Sequence, residues 1–181
     1  ADELAEHGIA PHHELPGVGG NLQDHVGVDI VQACRVPVSL HKALSWFGKT
    51  KIGMRWFLFR DGLGATNHFE AGAFIRSRAG IEHPDLKLAF IPFGLGGGEN
   101  MSDVSIGQHA FSTHVNLMRP TSRGRLRLRS ANPHDHPRLL FNYLQSPDDV
   151  STLVTAVKLV REVYAQPALA SLSGVELRPG P

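Results

Sequence analysis

The sequence predicts an α+β fold, an antiparallel sheet backed by helices. Strand-like runs follow one another along most of the chain, and a long amphipathic helix comes after them. Composition agrees: 41% hydrophobic and 19% charged residues in a chain of 181 suit a folded soluble protein with a sizeable core.

The elements read in order as follows. ADELAEHGIAP looks like the end of a helix, with Gly8 at the C′ position and Pro11 preventing continuation. HVGVDIVQACRV (25–36) is rich in Val and Ile and reads as a strand. VSLHKALSWFGKTKIGMRWFLF reads as two helical pieces broken near Gly48. Leu40, Ala43, Leu44 and Phe47 repeat at helical spacing in the first, and Ile52, Trp56 and Phe59 in the second. After the loop DGLGATN, FEAGAFIRS and DLKLAFIPF read as strands, GLGGGENMSD as a flexible loop that could act as a lid, and HAFSTHVNLMR as another strand.

SRGRLRLRS has the clearest period of two, with Leu126 and Leu128 on one side and Arg125, Arg127 and Arg129 on the other. ANPHDHPRL is a turn. Ser146, Pro147 and Asp149 form a Ser-x-x-Asp start to a helix whose apolar stripe runs Val150, Leu153, Val154, Val157, Val160, Tyr164. The C-terminal ALASLSGVELRPGP trails off in Gly and Pro.

Composition also excludes functions. A net charge of +1 gives no field that attracts nucleic acid, and the arginine face of SRGRLRLRS lacks interleaved aromatics for base stacking. The single cysteine, Cys34, rules out an internal disulfide, fits a reducing compartment and reads as a buried, inert thiol. No run of about 18 apolar residues is present, so no transmembrane segment is expected. The acidic start lacks a signal peptide's apolar core.

Four patterns could carry chemistry. GVGGNL and GLGGGE approach the dinucleotide fingerprint, but Leu22 and Glu99 stand where its last glycine belongs, and neither run leads from strand to helix. Gly17, Gly19 and Gly20 are read instead as a tight positive-φ path close to other backbone. Eleven histidines include His12-His13 and His134-Asp135-His136, yet no H-E-x-x-H occurs and no third or fourth ligand is evident, so no metal is expected. No G-x-S-x-G elbow is present. In Asn67-His68-Phe69-Glu70, if Phe69 faces the core, His68 and Glu70 share the opposite face. A carboxylate beside aromatic rings can hold an organic cation. The same spacing also fits an ordinary surface pair.

Taken in order, the segments resemble the glucose–methanol–choline (GMC) flavoprotein oxidoreductase family. LPGVGGNLQDH is similar to the segment after that family's second glycine-rich signature, and RPTSRGRLRLRSANPHDHPRLLFNYLQSPDD to its substrate-domain strand, turn and helix start. PVSLHKALSW, KIGMRWFLF, GATNHFEAGAFIRS, LLFNY and REVYAQPAL are nearest its bacterial choline-oxidising branch.

The resemblance implies that residues 1–25 are the tail of an FAD-binding domain and the crossover from it. Asn21, Gln23, Asp24 and His25 would hydrogen-bond across the domain seam. Residues 26–181 would be a substrate-binding domain. The phosphate-binding loop would lie upstream of Ala1 and the catalytic His downstream of Pro181, so no catalytic residue is expected in this stretch. FAD would belong to the full-length protein and not be retained by this chain, which alone would be colourless and inactive.

The implied reaction takes an alcohol, choline or a similar one, to the aldehyde by hydride transfer to flavin. EAGAF matches the E-x-G-x-F strand whose glutamate faces the quaternary ammonium, which gives Glu70 that role, with His68 and His114 as further substrate-binding candidates. Relatives usually carry a His at the position of Ala89, and His114 on a nearby strand is the candidate to compensate. The expected partners are the alcohol and the missing FAD-domain segments. The expected location is cytoplasmic, with membrane association of the full-length protein left open. Two rival readings stand: a stand-alone, non-catalytic binding or interaction module reusing this domain, and a His-rich metal-dependent enzyme.

Overall fold

The computed structural model describes residues 2–96 and 107–180. The chain divides into two compact units, Ala1–Val26 with Arg119–Ser151 and Gly27–Met118 with Thr152–Pro181. Its elements are α1 (Asp2–Glu6), β1 (Gly27–Cys34), α2 (Trp46–Phe59), β2 (Ala71–Ile75), β3 (Leu86–Ile91), β4 (Ala110–Leu117), β5 (Arg125–Arg127), β6 (Arg138–Leu140), α3 (Pro147–Tyr164), α4 (Pro167–Ala170) and β7 (Ser173–Arg178), with 3₁₀ turns at Leu40–Leu44 and Gly62–Ala65. Most of the run Gly94–Asp103, read from sequence as a lid-like loop, lies outside the described residues.

The larger unit is built on a five-stranded sheet in the order β2-β3-β4-β1-β7, antiparallel throughout. The expected α+β fold is therefore present. β1 and β4 pair in register from Gly27↔Asn116 to Ala33↔Ala110. Ile30, Val31, Leu86, Ala110 and Val115 are completely buried. Each such Ile, Val or Leu side chain stabilises the fold by about 1.5–3 kcal/mol.

Strand alternation sorts the sheet into two faces. Ile30, Thr113, Phe90 and Ala71 share one row. Against that face lies Tyr164 of α3. Its hydroxyl is hydrogen-bonded to Thr113 Oγ1 at 2.6 Å and donates to the Ile30 carbonyl at 3.3 Å, and its ring meets Phe111 edge-on at 5.0 Å. Burial pushes the Tyr164 hydroxyl well above its ordinary pKa, although its bond to Thr113 works the other way. Along α3 the buried line is Leu153, Ala156, Val160 and Tyr164, while Val150 and Val154 are exposed. Helical spacing thus located the stripe but set its centre slightly off the packed face.

Two sequence expectations need correction here. The helical region does not break at Gly48. It breaks at Ser45, whose Oγ accepts from Gly48 N–H at 3.1 Å and caps α2. Gly48 is helical, and a Cβ there would meet the Ala43 and Lys42 carbonyls at 2.5 and 2.7 Å, so glycine answers a close backbone approach. The C-terminal segment does not trail off either. It forms α4 and then β7, an edge strand on β1 with register shifts on either side of Gln32, whose Nε2 donates to Gly174 O at 2.6 Å. An irregular edge strand with Gly174 inside it carries little periodic signal.

In the smaller unit α1 ends as its sequence predicts. Gly8 has φ +70°, Ile9 N–H donates to Leu4 O and Gly8 N–H to Ala5 O, the paired bonds of a Schellman ending. β5 and β6 form a short hairpin. Exposed Arg125 and Arg127 flank half-buried Leu126, the expected alternation over a shorter strand. Gly19 has φ +77°, and a Cβ there would lie 2.6 Å from Leu126 O, so the expected tight path is real at Gly19. Gly17 and Gly20 do not need it, since neither has positive φ.

The capping-box reading of Asp149 is also corrected. Its buried carboxylate does not return to Ser146. It accepts from Thr121 N–H, Thr121 Oγ1 and Ser122 N–H at 2.8–2.9 Å and so fixes the Thr121–Ser122 loop.

Candidate functional site

The face of the large sheet opposite Tyr164 carries the candidate residues. Gly72, Ala89, His114 and Asp29 form one cross-strand row. At one end of this face Val31, Ser112 and Ile91 are sealed: Ser112 Oγ donates to Phe93 O and accepts from Leu95 N–H, both at 2.9 Å. At the other end Phe74 is 63% exposed. The Gly72–Asp29 row lies between the two.

His114 and Asp29 are direct cross-strand partners. His114 Nδ1–H donates to Asp29 Oδ1 at 2.6 Å, with both side chains about one-third exposed. An ionised carboxylate only accepts, so Nδ1 carries the proton, and in the neutral form of the ring Nε2 is the acceptor. Gly27 gives the ring its room, since a Cβ there would meet His114 Cε1 at 3.0 Å and Asn116 Nδ2 at 2.7 Å. Ala89 is in register with His114 on the other side. With Gly72 and Ala89 small, this part of the sheet surface has no large side chain between the β2 edge and the imidazole.

Glu70 is exposed, and its N–H donates to Phe90 O at 3.2 Å, extending the β2 ladder by one residue. His68 does not enter the strand with it. It has φ +62°, its N–H donates to Thr66 Oγ1, and its ring meets Phe93 edge-on at 6.3 Å. Phe69 is 51% exposed rather than in the core. The expected alternation across Phe69 therefore fails, because a polar Thr66–Asn67 turn sets the backbone before β2 begins.

The four residues expected at a domain seam are all exposed. Asn21 has φ +56°, a conformation asparagine tolerates. Asp24 accepts the Tyr143 hydroxyl hydrogen bond, which raises the Tyr143 pKa. Gln23 and His25 follow on either side.

One cluster escaped the sequence. Ser39 Oγ and His109 Nδ1 are hydrogen-bonded at 2.9 Å, and the His41 ring lies 5.2 Å from that of His109. His41 Nδ1 and His109 Nε2 are shielded from solvent without a hydrogen-bond partner among the described residues. Such orphan nitrogens are groups that a water or ligand oxygen would satisfy. Nearby, burial raises the Cys34 thiol pKa and a bond to Ser39 partly offsets it. Residues 39 and 109 are 70 positions apart in the chain, so no local pattern announces them. Among the described residues no group of three or more His, Cys, Asp or Glu is arranged to hold a metal.

A dinucleotide pyrophosphate needs free backbone N–H groups at a strand–turn–helix junction. The GVGGNL run does not provide it. Leu22 is bridged to Gly124, Gly19 O accepts from Leu126 N–H, and the run leads toward β1 rather than into a helix. This run does not fit that group.

Residues 120–181 match the family profile described as GMC oxidoreductase. The chain is 44% identical over 180 residues to the oxygen-dependent choline dehydrogenase of Brucella ovis, covering 99% of this chain and 32% of that protein. It is equally similar to the protein of that name from Escherichia coli O139:H28, with the same coverage. It thus spans about a third of the length of these curated relatives. Among solved structures, a formate oxidase matches 99% of the chain with a TM-score of 0.85 at 20% identity, and pyridoxine 4-oxidase from Mesorbium loti with 0.74 at 22%. These chains are covered to 36% and 31%, and they share the fold.

Proposed function

The chain belongs to the GMC oxidoreductase family, and on that premise we propose that it is the substrate-side portion of an FAD-dependent enzyme oxidising choline or a similar alcohol to the aldehyde. The observation that carries this is 44% identity, along nearly the whole chain, to proteins called oxygen-dependent choline dehydrogenase. In this reading residues 1–25 are the tail of the FAD-binding domain and 26–181 the substrate-binding domain. FAD is held by parts of the full-length protein other than the residues described.

The roles of this chain's side chains are binding and orientation. Glu70 presents a carboxylate to the trimethylammonium group, which cannot donate hydrogen bonds and is recognised by charge and aromatic surface. His114, held by Asp29, offers Nε2 as an acceptor for a substrate hydroxyl across the space left by Ala89. His68 stands at the turn before Glu70.

The test is substrate profiling of the full-length enzyme with choline against neutral primary alcohols. Glu70→Gln is expected to raise the choline KM about tenfold, with neutral alcohols moved less than about twofold. Equal losses for both substrates would remove the cation-binding role. The 181-residue chain mixed with FAD and desalted is expected to emerge colourless. Retained yellow flavin would place a cofactor site within this chain.

A further inference from the structure

Asp29 lies on the interior strand β1, in the same cross-strand row as Gly72, Ala89 and His114. Rows inside a sheet are ordinarily filled by β-branched or aromatic side chains. Here two of the four residues are Gly and Ala, which leaves a shallow trough with the imidazole and the carboxylate at its β4–β1 end. Among the described residues Asp29 forms no ion pair except with His114. A pair with both side chains about one-third exposed contributes little to stability, so the fold itself gives small reason for it.

The ring's orientation follows from its two neighbours on β1. Nδ1 is bonded to Asp29 Oδ1 at 2.6 Å, and Cε1 lies where a Cβ on Gly27 would come within 3.0 Å. The Nδ1–Cε1 edge is therefore turned to β1. The opposite edge, which ends in Nε2, is turned toward β3, where the register neighbour is Ala89. Glu70 precedes Gly72 by two residues and lies two strands from His114. At about 4.8 Å between strands and about 3.4 Å per residue, the Glu70 and His114 backbones are about 12 Å apart. Carboxylate and imidazole thus meet different groups of a small substrate.

We infer that Asp29 is a positioning residue that gives the hydroxyl end of the substrate a recognition point of its own, separate from the cation end at Glu70. It acts through His114. By holding the proton on Nδ1 it leaves Nε2 of the neutral ring to accept the substrate O–H over Ala89. Without Asp29 the ring is free to turn and to carry its proton on Nε2, where it no longer accepts. This deepens the proposed function and rests on it.

The full-length enzyme and its Asp29→Leu variant are compared on three ligands: choline, a neutral primary alcohol, and ethyltrimethylammonium, which is choline without its hydroxyl. Asp29→Leu is expected to lower kcat/KM at least about fivefold for both alcohols, the loss of one hydrogen bond. The inhibition constant of ethyltrimethylammonium should move less than about twofold. Equal weakening of all three would overturn the inference and make Asp29 a structural residue. In a His114→Phe background, Asp29→Leu should have less than about twofold further effect, because a residue acting through another adds nothing once that other is gone. Additive losses would overturn it as well. In the 181-residue chain, long-range proton–nitrogen NMR of neutral His114, assigned by its disappearance in His114→Phe, should show Nδ1 protonated and Nε2 bare. Asp29→Leu should move the proton toward Nε2. A wild-type proton on Nε2 would overturn the inference whatever the kinetics. Should Glu70→Gln affect choline and neutral alcohols equally, the cation point fails, while the neutral-alcohol and NMR results still decide on Asp29.

Discussion

Helices α2 and α3 are both rich in apolar residues, yet they use them differently. α3 buries Leu153, Ala156, Val160 and Tyr164, whereas α2 has no fully buried residue and leaves Trp46, Phe47, Phe57 and Phe59 at least 70% exposed. The difference is visible in how each is fixed. α3 is anchored by the Tyr164 hydroxyl bonds to Thr113 and Ile30. α2 is fixed locally, by the Ser45 cap at its start, the Arg60 αL ending and the Arg55–Asp61 pair. Apolar content alone does not separate a buried helix from an exposed one. What separates them is whether the unit supplies a complementary face, and the Ile30–Phe90 row supplies one to α3.

The sharpest way to break this contrast is to truncate the anchor. Tyr164→Ala should cost about 3–5 kcal/mol of unfolding free energy by leaving a cavity and two polar groups without their partner, measured by urea denaturation. A cost below about 1 kcal/mol would mean that α3 does not depend on this anchor.

Next comes Asp149, where α3 begins. Burial works to raise its carboxyl pKa, but the bonds from Ser122 and Thr121 outweigh this and hold it below its ordinary 3.8. A depressed carboxyl stabilises the fold above its unfolded pKa and loses that contribution as pH falls through the folded value. Asp149→Ala should therefore cost about 1–3 kcal/mol at pH 7, and the difference from wild type should shrink below about pH 4. A difference independent of pH would assign the loss to packing instead of charge.

The smallest effect is expected on α2. Phe57→Ser should change the stability of the 181-residue chain by less than about 0.5 kcal/mol, as for an exposed position. A loss comparable with that at Tyr164 would show that the face is buried in solution and erase the contrast.

Legibility from sequence followed the same division. Gly8, Ser146-Pro147 and the strand runs at 25–36, 85–93 and 109–119 could be read because their signals are local: a left-handed cap, a fixed φ, a β-branched run. Ser45 as the break before α2 was missed because Gly48 is the more obvious punctuation. At the candidate site, EAGAF marked Glu70, but nothing near His114 in the chain points to Asp29, 85 residues away. The Ser39–His109 bond spans 70 residues and was equally invisible.

By itself the sequence determined the periodicities, the caps, the family resemblance and the absence of a complete nucleotide fingerprint, because each depends on residues a few positions apart. Only the tertiary structure decided which carboxylate holds His114, where Asp149 spends its hydrogen bonds, that Ser173–Arg178 completes the sheet, and which apolar helix is core. Those outcomes depend on cross-strand register and on which face a neighbour covers, and both are set by contacts between residues far apart in the chain.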